Sequence, residues 1–229
     1  MNKPTSSQIS RRELCRRFLG LASAAPLAMS LLGDTNPVIA DGYGNTIRVE
    51  EDWYVKVGTP EPIADSPQIT TVMAPSWATS WGNYSVFDLN CATQPDFSSG
   101  GVQLQLWYGS TMLRSQSNTN WDSIRFTDEE IRYTSVMRIE NGQIIFEIIN
   151  GSSSTWGSFG TGELIVQNTT WRNHLNSYDP GCSVYNSRIG WAPYQVRSFV
   201  MERVRYYSIN GLQSTDDTPR VLRQYDPFA

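Results

Sequence analysis

From Thr46 onward the chain alternates apolar and polar residues, and roughly every eight to fifteen residues Gly, Asn, Ser or Pro interrupts it. No long stretch keeps a 3.6-residue period. Side chains at every second position share one face of an extended strand, so this pattern predicts an all-β chain folded as a two-sheet antiparallel β-sandwich. Strands are expected at 46–57, 68–73, 84–90, 102–107, 112–116, 131–140, 143–149, 163–167, 184–191 and 196–209, with a last one at 221–224. The clearest unit is "IRYTSVMRIENGQIIFEIING". Asn141-Gly142 between two alternating runs predicts a two-residue turn with both residues at positive φ. That turn sets Ile139 opposite Ile144, Met137 opposite Phe146 and Ser135 opposite Ile148. It also makes Arg138 and Glu147 diagonal neighbours on the other face.

The N-terminus reads as an export signal rather than as part of the domain. Arg11, Arg12, Arg16 and Arg17 precede an uncharged run, Phe18 to Leu32, that is short for a membrane span and carries Pro26. "SRRELCR" resembles the twin-arginine export motif, with Cys15 at a position where that motif has an apolar residue. "PVIADG" places cleavage after Ala40, with an earlier cut near Ala24 or Ala28 as the alternative. The expected organisation is a cleaved signal peptide, 1–40, and a single β-sandwich domain, 41–229, exported to the periplasm or the cell exterior. No transmembrane segment is expected after cleavage. A basic amphipathic helix retained in the mature protein is the alternative.

The chain has 18 Lys/Arg and 22 Asp/Glu. Five of the former and two of the latter fall in the first forty residues, leaving 13 and 20, a net charge of −7. That balance excludes a non-specific nucleic-acid binder, which needs basic surface against phosphates. Two Cys remain after cleavage, Cys91 and Cys182. In an oxidising compartment they read as one disulfide, contributing about 4 kcal/mol in a chain-entropy description, or else as two buried thiols.

Three groups of residues carry candidate binding chemistry. In "GGVQLQLWYG", Val102, Leu104 and Leu106 point one way, and Gln103, Gln105 and Trp107 the other. Such a row can bind sugar hydroxyls and stack a pyranose, or it can be an ordinary solvated face. In the strand from Val196 neither face is purely apolar. A bulge near Met201–Glu202 would send Phe199, Met201, Val204 and Tyr206 to the core and leave Arg203, Arg205 and Tyr207 on one face. That row suits a ligand carboxylate, or cross-strand pairing with the chain's own acids. Finally, all eight Trp follow residue 40. Trp77, Trp81, Trp121, Trp156 and Trp171 lie in Gly/Ser/Asn-rich surroundings, where they can form a stacking platform or plug the ends of a sandwich. Trp156 and Phe159 in "NGSSSTWGSFG" are presented by small residues.

"IRYTSVMRIENGQIIFEIING" followed by "NSRIGWAPYQVRSFVMERVRYYSINGL" resembles the concanavalin A-like lectin/glucanase superfamily, over roughly Gly100 to Leu212. The resemblance implies a jelly roll with a concave face that in many relatives holds a glycan. Laminarinase-type hydrolases of that superfamily have a Glu-x-Asp-x-x-Glu strand, which is absent here. The acid clusters "VEED", "TDEE" and "STDD" read as turns or strand ends. In the alginate-lyase-like branch a Gln-x-His strand is expected; Gln103 matches the Gln and Gln105 stands where the His would be. A lyase would have to use Tyr178 or the sole histidine, His174, as base, with Arg203 neutralising the substrate carboxylate. No Gly-x-Ser-x-Gly elbow is present, and one His does not make an imidazole metal site. No cofactor is implied, although a structural Ca²⁺ held by Asp and Asn oxygens is compatible with the fold.

The leading expectation is an exported, non-catalytic sandwich that binds a polysaccharide or cell-envelope glycan. The expected ligand residues are Gln103, Gln105, Trp107, Trp156, Arg203, Arg205 and Tyr207. A polysaccharide lyase is the second reading and a structural envelope protein the third.

Overall fold

The computed structural model describes residues 44–59, 67–77, 82–90, 100–117, 122–191 and 193–224. All fall within one unit, Tyr43–Ala229. The expected signal peptide lies outside the described residues. Among those described, no helix is long and apolar enough to cross a membrane.

The described strands, in chain order, are β1 (Arg48–Val57), β2 (Gln68–Met73), β3 (Asn83–Asn90), β4 (Val102–Tyr108), β5 (Thr111–Ser117) and β6 (Glu129–Glu140). Then come β7 (Gln143–Ser153), β8 (Gly157–Thr169), helix α1 (Pro180–Asn186), β9 (Arg188–Trp191), β10 (Val196–Ser208), β11 (Gly211–Asp216) and β12 (Arg220–Gln224). They form two antiparallel sheets. One has seven strands in the order β11-β10-β1-β6-β7-β8, with β12 also on β10; the other has five, β5-β4-β3-β2-β9. Alternation places Val49, Trp53, Val55 and Val57 of β1 in the space between the sheets, against Ile69, Phe87, Leu89, Leu104 and Leu106 from the five-stranded one. This is the expected two-sheet sandwich.

The β6–β7 hairpin has the predicted register. Ile139 pairs with Ile144, Met137 with Phe146 and Ser135 with Ile148. Asn141 and Gly142 have φ of 49° and 72°, and Arg138 Nη2 lies 3.8 Å from Glu147 Oε2.

Three sequence expectations are corrected. Residues 180–186 form a helix where the strand 184–191 was expected to begin. Asp179 caps it by accepting a hydrogen bond from Gly181 N at 2.8 Å, and Pro180 sits in its first turn. A cap acceptor followed by Pro is a helix-start signal, and it outweighs the short apolar alternation of Val184 onward. β8 begins at Gly157, inside the Gly/Ser-rich stretch expected to be loop. Gly160 there sits at φ +76°, and a Cβ on it would lie 2.5 Å from Ile148 O, so close backbone approach explains the glycine. "STDD" is a strand end, as expected: Ser214, Thr215 and Asp216 close β11 and pair with β10. "VEED" is the middle of β1, with a partner strand on each side. As to the expected disulfide, Cys182 is a buried free thiol, and Cys91 lies outside the described residues.

Tyr206 OH is buried without a hydrogen-bond partner, and its ring meets Tyr178 edge-on at 6.0 Å. Removing a buried unpaired hydroxyl costs nothing in hydrogen bonding. Tyr206→Phe should therefore leave stability unchanged or raise it by up to about 1 kcal/mol. A denaturant midpoint that falls by more than that would show that the hydroxyl is paired after all.

Candidate functional site

On the outer face of the seven-stranded sheet a group of paired charged and polar side chains is gathered. Irregularities in three strands shape it. In β10, Arg203 pairs with Asp52 and Met201 with Trp53, so Glu202 is the extra residue of a bulge. This is the bulge expected from sequence. Phe199, Met201, Val204 and Tyr206 are buried, while Arg203, Arg205 and Tyr207 face outward. In β7, Ile149 pairs with Thr134 and Ser152 with Arg132, which leaves Asn150 and Gly151 opposite Tyr133. Asn150 takes φ 55°. In β8 the pairing jumps from Thr161 to Ile165 across Ile149 and Glu147. The three irregularities lie side by side across the sheet. A bulge bends its strand and re-aims side chains. Here the result is a cleft of about 280 Å³ lined by Asp52, Arg132, Thr134, Asn150, Glu202 and Arg203, among others.

Asp52 is the hub of the cleft. It accepts from Arg203 Nε at 2.8 Å, from Arg205 Nη2 at 2.7 Å and from Thr134 Oγ1 at 2.8 Å. Beside it, Glu50 accepts from Arg48 Nε at 2.8 Å and from the Tyr207 hydroxyl at 2.9 Å. Arg205 Nε is 3.0 Å from Glu50 Oε2, but that N–H makes no aligned hydrogen bond, so the contact is purely ionic. Arg132 bonds Glu202 at 2.5 Å and lies 4.2 Å over the Tyr54 ring. The hydrogen bond to Asp52 and its charge hold the Arg203 pKa above its ordinary value. The Arg203–Arg205–Tyr207 row therefore meets the chain's own acids.

Gln103, Gln105 and Trp107 lie on the outer face of the other sheet. Trp107 Nε1 donates to Gln105 Oε1 at 2.8 Å. Gln105 Nε2 donates to Asp88 Oδ2 at 3.0 Å and to Gln103 Oε1 at 2.7 Å. Thr70 completes the chain by donating to Asp88 at 2.6 Å. Gln105 is buried. Its amide is committed to neighbours, and the Trp107 ring lies near-parallel to Tyr84. This row and the Arg row are thus separated by the whole sandwich.

The loop tryptophans divide. Trp156 is buried, donates to Asp122 O at 2.7 Å and packs edge-on against Phe159, so it plugs an end of the core. Trp171 is 88% exposed beneath the Arg172 guanidinium. Trp77 is partly exposed, its ring against Tyr185 and its N–H on Asp179. Trp81 and Trp121 lie outside the described residues.

Tyr178 and Arg203 stand on opposite sides of the seven-stranded sheet. Tyr178 is buried and donates to Glu51 Oε1 at 2.5 Å, while Arg203 reaches Asp52. Glu51 and Asp52 are consecutive on β1 and so point to opposite faces. His174 sits in the loop before Tyr178, its Nδ1 accepting from Asn176 N at 3.4 Å. The structure does not bring the three together.

Glu51 is an interior carboxyl that the sequence reading missed. It also accepts from Ser183 Oγ at 2.5 Å and Trp53 Nε1 at 2.9 Å. Burial raises its pKa to about 7, against the opposing pull of these hydrogen bonds and of Arg220. It ties α1 and the preceding loop to β1. Among the described residues, no group of three or more His, Cys, Asp or Glu could hold a metal ion.

No protein-family model matches this chain, and no curated protein is similar to it in sequence.

Proposed function

We propose that the protein is an exported, non-catalytic β-sandwich of the concanavalin A-like, jelly-roll kind that binds a glycan on the outer face of its seven-stranded sheet. The cleft over the aligned bulges carries this reading. Outward-facing amide, carboxylate and guanidinium groups converge there around one open concavity, and sugars are recognised by such convergent polar groups on a rigid scaffold. Asp52 is committed to two guanidiniums and a hydroxyl, so it is poorly placed to act as base or nucleophile, which supports binding without turnover. Export rests on the arginine-rich, apolar and small-residue pattern of the first forty residues.

Arg203→Ala and Asn150→Ala should each weaken glycan binding by about tenfold, the loss of one or two hydrogen bonds. Gln103→Ala, on the other sheet, should leave it unchanged. Titration calorimetry against a polysaccharide panel measures this, with ultraviolet absorbance of unsaturated chain ends followed in parallel. Equal losses from all three variants would move the site elsewhere. Rising absorbance would make the protein a lyase.

A further inference from the structure

We infer that the cleft takes an uncharged polyhydroxylated chain, and discriminates against polyuronates and other polyanions. This rests on the reading of the cleft as a glycan site and narrows its ligand class. An Arg-rich row read from sequence suits a carboxylate, but its partners reverse that expectation.

Every guanidinium at the cleft faces a carboxylate of the protein. Arg203 is on Asp52, with Asp217 3.9 Å from the same nitrogen. Arg205 lies between Asp52 and Glu50. Arg132 is on Glu202. With Arg48, which also pairs with Glu50, four cations are thus matched by the four carboxylates Glu50, Asp52, Glu202 and Asp217, and the cleft has no surplus positive charge. A ligand carboxylate could take the Nε edge of Arg203 or the Nη2 of Arg205 only by displacing Asp52. That would leave a largely buried carboxylate short of its partners, which costs more than the new pair returns. It would also have to approach Glu202 and Asp217, both well exposed. The domain's net negative charge adds a longer-range repulsion.

A hydroxyl meets none of these obstacles. It donates to a carboxylate oxygen and accepts from a guanidinium N–H without breaking the ion pair. Glu202 and Arg132, roughly half exposed, offer both kinds of contact. Asn150 adds an amide that both donates and accepts, held outward by its left-handed backbone. Ion pairs bordered by an amide are therefore suited to vicinal diols.

The test is equilibrium binding of the protein to two sets of hexasaccharides. The neutral set is cellohexaose, mannohexaose and xylohexaose; the charged set is hexagalacturonate and hexamannuronate. At least one neutral member should bind, with affinity changing less than about twofold as salt rises from about 0.05 to 0.5 M, because no net charge is neutralised. The uronates should bind at least about tenfold more weakly, since they bring like charge to the cleft. Asp52→Asn frees two guanidiniums and should raise uronate affinity. Tighter uronate binding that weakens with salt would overturn the class inference and leave the glycan reading standing. Failure of both sets to bind would overturn both. A folded Asp52→Asn protein with no gain for uronates would show that Asp52 is not what excludes them.

Discussion

Raising the pH from about 4.5 to 8 should destabilise the protein by about 3 kcal/mol, and Glu51→Gln should abolish that loss. The folded-state pKa of Glu51 is raised from 4.5 to about 7, with burial as the largest cause. Its stabilising contribution is therefore complete below about pH 4.5 and is lost as pH rises through about 7. The carboxyls of Glu163 and Asp216 are shifted downward, so their contributions are lost only on acidification, in a separate and lower window. Glutamine retains the geometry. Its oxygen can accept from Trp53 while its amide donates to the hydroxyls of Tyr178 or Ser183, which rotate to accept. Glu51→Ala leaves all three donors without an acceptor and should cost about 3 kcal/mol or more even at low pH. Denaturant midpoints of the three proteins at pH 5 and pH 8 measure these effects. A Glu51→Gln protein with the wild-type pH slope would show that another group titrates.

Gly160→Ala should cost about 3 kcal/mol, one to two from the left-handed backbone and the rest from overpacking. The added carbon would sit 2.5 Å from Ile148 O and 2.9 Å from Ile148 C, which are main-chain atoms of a paired strand and cannot step aside. Gly142→Ala is the control. Gly142 has φ +72° but nothing within 4 Å of a Cβ, so it should lose only about 1 kcal/mol. Chemical denaturation separates the two. Equal losses would mean that β8 can shift away from β7, and that the irregularity bordering the cleft is soft.

Sequence patterning carried most of the architecture because a strand repeats every two residues and a slip moves every side chain to the wrong face. Asn141-Gly142 therefore fixed the register of β6 and β7, and the mixed faces of 196–207 required the bulge at Glu202. α1 was hidden because its few residues cannot display a helical period, and only Asp179-Pro180 announces it. β11 was hidden because an exposed edge strand needs no apolar face.

The site was less legible. Arg203, Arg205 and Tyr207 were placed together correctly, but the partners that set their chemistry, Glu50 and Asp52, lie far away in sequence. "VEED" falls inside the expected strand 46–57 yet reads as a turn or strand end, because three adjacent acids violate a simple alternation. The structure resolves this by sending Glu50 and Asp52 outward to arginines and Glu51 inward to hydroxyls and an indole. A second Asn-Gly, at 150–151, was the available signal for the bulge in β7.

The most direct test of the central claim is backbone amide exchange of the protein with and without saturating neutral hexasaccharide. Binding at the cleft should protect amides around Arg132–Thr134, Asn150–Gly151 and Glu202–Arg203, on neighbouring parts of the seven-stranded sheet, and leave Gln103–Trp107 and the Trp171 loop unchanged. Protection confined to the five-stranded sheet or to the exposed tryptophans would contradict the assignment of the glycan to this face.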